Sequence, residues 1–178
     1  MLHTGLRRGI CCAKTGGMGL PMFGYTLLGT VHALVAMLGI GLGLVQFCRR
    51  KGDAVHRVVG YAYVGAMLLA DAAALTVFQF TGKLNVLHVG AIANLICIGF
   101  GVWAVLRRPR RPSWRLRHYI WMSWSYVGLL AAAATELVVR TSPIANRAQG
   151  WVVTAIVALA ATLVGYVLIN RNRAVALQ

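Results

Sequence analysis

Six ionisable side chains lie in or at the ends of long apolar stretches of this 178-residue chain: His32, His56, Asp71, His88, His118 and Glu136. Such groups are costly in hydrocarbon and mark sites of ion, proton or cofactor chemistry. Histidine pairs from facing helices suit b-type haem, with imidazole nitrogens as axial ligands and electron transfer or haem handling as the result. The pairs would be His56 with His118 and His32 with His88. A mixed set of His32, Asp71, His88 and Glu136 suits zinc or iron, although no HxxxH or ExxH spacing puts two ligands on one helix. Asp71 and Glu136 also suit a proton-coupled carrier. A purely structural reading pairs His32 with Asp71, and Glu136 with Arg140 one turn on. His56 and His118 then contact head groups, and the protein is a scaffold without cofactor. No phosphate-binding loop, dinucleotide motif or nucleophile–histidine arrangement occurs, so the chemistry of soluble enzymes has no support.

The elements that position these residues follow from composition. Hydrophobic residues make up 59% of the chain and charged residues 12%, against about 25% charged in soluble domains. Five stretches meet the bilayer requirement of about 20 apolar residues: 22–47, 58–82, 84–106, 119–139 and 151–170. In lipid these must be helices, because an open strand edge cannot satisfy its backbone there. The fold class is therefore all-α and polytopic, a four-helix transmembrane bundle plus a fifth transmembrane helix, spanning 21–171. Such a bundle can enclose a cofactor between inward-facing side chains. The 1.5 Å rise puts His32 about 15 Å and His88 about 6 Å from the same surface, so the two differ in depth. His56 and His118 start their helices at the opposite surface. Helical phase expects His118, Met122, Ser125, Leu129 and Glu136 on one face, and His88, Ile92, Leu95 and Gly99 on another.

Eighteen Lys and Arg face three acids, a net charge of +15. The cations sit between apolar runs, so they set membrane topology and do not indicate nucleic acid. Twelve fall on one side, in the loops after the first and third spans and in the tail, and six on the other. The twelve-charge side is expected to be cytoplasmic, with the N-terminus outside an inner membrane and the 172–178 tail inside. Residues 1–20 read as a basic, disordered leader without the apolar core of a signal peptide. Initiation at Met18 or Met22 would remove its opposing charges. Cys11, Cys12, Cys48 and Cys97 have no metal-ligand spacing. Expected partners are the lipid bilayer and a redox partner or membrane complex.

The segments GTVHALVAMLGIGLGLVQF, KGDAVHRVVGYAYVGAMLLAD, LHVGAIANLICIGFGVWAVLRRP and HYIWMSWSYVGLLAAAATELVVR resemble the bacterial membrane-protein family called domain of unknown function 2306. Its marks fall on His56 and Arg57, on His118 and Met122, and on Arg140, while His32 and His88 stand at its other histidine positions. The resemblance covers about Gly29 to Arg140, so it leaves the leader and the fifth span outside and implies no activity. The layering of histidines is also distantly similar to transmembrane ascorbate-reducible cytochromes b and haem-handling oxidase-assembly factors.

Overall fold

The computed structural model describes residues 27–76, 86–107, 109 and 112–174. Five helices occupy them: α1 (Leu27–Cys48), α2 (Ala54–Thr76), α3 (Val86–Leu106), α4 (Trp114–Thr141) and α5 (Arg147–Arg171). All are long and apolar enough to cross a membrane, and no strand is present among the described residues. The leader, the predicted start at 22, the boundary at 82–84 and residues 175–178 lie outside them. The described ends differ from expectation mainly because polar turns can remain helical beyond the apolar core. α2 starts at Ala54, where the Asp53 carboxylate accepts from the His56 amide at 2.6 Å and caps the orphan amides of the first turn. Gly52 precedes it at φ 92°, a left-handed conformation that glycine adopts without strain. α5 starts at Arg147 on a similar device, with the Asn146 side chain accepting from the Gln149 amide at 2.9 Å.

α1 packs on α2, α2 on α3, α3 on α4, and α4 returns to α1; α5 packs on α4. A small apolar core of Tyr63, Met67, Ile98 and Leu129 draws on α2, α3 and α4, with Ala36 and Ile40 of α1 against it. Outward faces carry exposed Leu34, Met37, Leu44, Leu69, Leu159 and Leu163. Apolar surface on that scale is stable only against lipid tails, so the chain is a multi-pass membrane protein in contact with the bilayer.

Close approach of the helices rests on small residues, as expected where apolar burial gives no driving force. Gly39 and Gly43 are buried on α1. A methyl group at Gly43 would overlap the ring of Tyr126 on α4, whose hydroxyl donates to the Ile40 carbonyl at 3.1 Å. By contrast, nothing lies within 4 Å of a methyl at Gly41. Gly43→Ala is expected to destabilise the bundle by about 1–3 kcal/mol through overpacking, and Gly41→Ala to be neutral or stabilising by up to about 1 kcal/mol. Thermal unfolding in detergent, followed by circular dichroism, checks the contrast.

Candidate functional site

Two histidines meet at the end of the bundle where α2 and α4 begin. The His56 and His118 rings have centroids 6.4 Å apart at 76°. His118 lies one turn into α4, and its Nδ1 donates to the Gly101 carbonyl of α3 at 2.9 Å. That bond fixes the tautomer and leaves Nε2 as the nitrogen with a lone pair. Gly101 allows the approach, since a Cβ there would run into the Met122 sulfur at 2.6 Å. His56 is held by its backbone: its amide reaches Asp53, and its carbonyl accepts from Gln46 Nε2 of α1 at 2.9 Å. The Nδ1 of His56 and the Oε1 of Gln46 are buried without a hydrogen-bond partner. Lys51, in the α1–α2 turn, places its ammonium 4.9 Å from the centre of the Tyr119 ring. Partial burial there holds its pKa below the ordinary lysine value.

The other two histidines are not brought to one level. His32 Nδ1 donates to the Ala70 carbonyl at 2.9 Å, and the next residue, Asp71, accepts from Asn94 Nδ2 of α3 at 2.7 Å. His32 thus stands level with Asn94. His88, only 1% exposed, is six residues along α3 from Asn94, about 9 Å by helical rise. The offset expected from the sequence persists, and His32 bonds the backbone beside Asp71 and not the carboxylate itself.

Glu136 follows the structural reading, the pairing with Arg140, and not the metal one. Its side chain is half-exposed and forms an ion pair with Arg140, whose Nε donates to Oε1 at 2.8 Å. The buried stripe of α4 runs through Ser125 and Leu129 to Ala131 and Thr135, and the next residue points about 100° away. The mixed zinc or iron set of His32, Asp71, His88 and Glu136 is therefore not assembled. No three of His, Cys, Asp and Glu are gathered for a metal ion among the described residues.

Two polar contacts escape the sequence pattern. On α3 the inward face is His88, Ala91, Asn94 and Ile98, not His88, Ile92, Leu95 and Gly99, so Asn94 comes inside and Ile92 faces out. Near mid-bundle, Tyr63 and Ser125 hydroxyls lie 3.0 Å apart. Ser125 stands on a stripe marked in the sequence, but nothing in the spacing joins it to Tyr63.

The family model described as "Predicted membrane protein (DUF2306)" matches residues 29–171. The chain belongs to this family. The match continues through α5, beyond the Arg140 limit expected from the motifs, so the fifth helix is part of the family's domain and not outside it. No curated protein and no solved structure matches the chain.

Tyr63→Phe, which strips fully buried Ser125 of its partner, is expected to cost about 1–2 kcal/mol. Glu136→Gln, in the exposed ion pair, is expected to change stability by less than about 1 kcal/mol. Unfolding of both variants in one detergent gives the comparison.

Proposed function

We propose that this DUF2306 protein binds one haem b at the basic end of a four-helix bundle formed by α1–α4, with His56 and His118 as ligands, and transfers electrons or hands on haem there. The observation that carries the reading is the 6.4 Å separation of the two rings. With metal–imidazole bonds of about 2 Å, two rings at that separation would both come within reach of a single ion held between them. The donor set fits as well. His118 has its second nitrogen on a backbone carbonyl, as metal-ligating histidines do. His56 has a buried nitrogen without a hydrogen-bond partner, and such an atom calls for a partner, a bound group or water.

Haem would supply a one-electron couple at this end of the bundle. The chain's own residues orient and shield. The Gly101 carbonyl holds the His118 ring, Gln46 ties the first turn of α2 to α1, and Met122 closes the α3 side. Arg57 and Arg117, each adjacent in sequence to a ligand, and Lys51 offer cations for propionate groups. A second haem at His32 and His88 is not part of this reading, because those residues stand about 9 Å apart in height.

Purified protein from haem-replete cells is expected to show a Soret band, with resolved α and β bands on dithionite reduction. A pyridine haemochrome assay should give one haem per chain. His56→Ala and His118→Ala should each lose the spectrum, while His32→Ala and His88→Ala keep it. A featureless spectrum overturns the proposal and leaves the pair with a structural role.

The twelve-charge side faces the cytoplasm in this reading. Cys48, exposed at the end of α1, reports it once Cys11, Cys12 and Cys97 are changed to Ala. It should react with a membrane-impermeant maleimide in inverted vesicles and not in intact cells; the opposite pattern reverses the topology.

A further inference from the structure

Asp71 and Asn94 are 6% and 8% exposed, in the half of the bundle remote from His56 and His118. Their contact is a single hydrogen bond, from Asn94 Nδ2 to Asp71 Oδ2 at 2.7 Å. Asn94 Oδ1 is buried with no partner. A carboxylate can only accept, so a charged Asp71 meets the amide N–H and leaves the amide oxygen unsatisfied. A neutral carboxyl has one O–H donor and one carbonyl acceptor, and a carboxamide offers the complement of both. One proton added to Asp71 therefore supplies the donor that Asn94 Oδ1 lacks, and its loss restores the single bond.

Among the described residues, no Lys or Arg pairs with the acid. The titratable groups around it are His32 of α1, whose Nδ1 bonds the neighbouring Ala70 carbonyl, and Tyr63 on its own helix. Cys97 of α3 and Tyr126 of α4 lie around Tyr63, and His88 stands about 9 Å along α3. Glu136 is turned away to Arg140. Uncompensated charge is expensive in such a place, and the unsatisfied amide adds to that cost.

We propose that Asp71 and Asn94 form a reversible proton-binding site inside the membrane, in which the neutral carboxyl completes the hydrogen bonding of the pair. The ligand is the proton itself, and the site gives the protein a means to take up and release one H⁺ within its transmembrane domain. It does not depend on the haem reading.

The composition makes a direct test possible, because Asp53, Asp71 and Glu136 are the only acidic residues of the chain. Asp53→Asn keeps a capping side chain, and Glu136→Gln alters an exposed position. In that double variant, reconstituted in lipid, pH-difference infrared spectroscopy reads Asp71 alone, with the further change Asp71→Asn as the subtraction. A carboxyl stretch is expected that converts reversibly to carboxylate between about pH 4 and about pH 10, a range that brackets ordinary acids and strongly raised ones. Asn94→Leu should move that band to higher frequency as the carboxyl loses its partner. If Asn94→Leu does not fold, labelling the asparagine amide carbon reads the same coupling, since the Asn94 amide band must shift across the same pH step. Carboxylate alone or carboxyl alone over the whole range overturns the proposal, as does a carboxyl band indifferent to Asn94.

Discussion

A polar side chain inside a bilayer has no water to fall back on, and this bundle meets that constraint with bonds that cross between helices. His32 reaches the Ala70 carbonyl, Asn94 reaches Asp71, Tyr63 meets Ser125, Tyr126 reaches the Ile40 carbonyl, and His118 reaches the Gly101 carbonyl. These five bonds link α1 with α2, α2 with α3, α2 with α4, α4 with α1, and α4 with α3. Three of them end on backbone carbonyls, which keep a second lone pair after the helix has used the first. Apolar contacts with lipid are nearly as good as apolar contacts between helices, so packing alone sets register weakly. The polar bonds set it instead, one level at a time.

Glycine and polar side chain are coupled in this scheme. Gly43 admits the Tyr126 ring, and Gly101 admits Met122 while its own carbonyl takes the His118 proton. Removing the space removes the bond. The Gly39–Gly43 pair thus has particular partners on α4, Leu129 and Tyr126. α5 has one weaker link of the same kind, from the Tyr119 hydroxyl to the Ile169 carbonyl at 3.3 Å. Its position against α4 alone is consistent with that sparse tie.

Much of this architecture is legible in the amino-acid sequence. Apolar length alone yields five helices. His56 and His118 stand at helix starts on one side, which makes their meeting a reasonable expectation, since small positional errors at two helix ends still leave them level. Residues deeper in the spans are harder to place. The face expected on α3 leaves His88 by a step of four to Ile92, whereas the buried face leaves it by two steps of three to Ala91 and Asn94, and the difference hides Asn94. The face shared by Glu136 and His118 fails in the opposite way: the two lie five turns apart on an ideal helix, but a buried stripe that drifts by one residue turns Glu136 out to the Arg140 pairing that the structural reading expects. Height arithmetic survives better than phase arithmetic, because rise accumulates slowly while each residue rotates about 100°.

The two ends of the bundle offer different chemistry because they differ in charge as well as in depth. Near His56 and His118 the chain supplies Lys51, Arg57 and Arg117, so an anionic group or an added electron meets positive charge. Around Asp71 and Asn94 the compensation is confined to neutral partners and His32, so a proton is the natural counter-charge. A negative charge arriving at the basic end and a proton arriving at the remote end would each lower the electrostatic cost of what its own surroundings hold. The Tyr63–Ser125 bond stands between them on the same α2 face, seven residues from His56 and eight from Asp71, or about 11 and 12 Å by rise. At those distances the two regions are joined by packing and not by a continuous hydrogen-bonded wire.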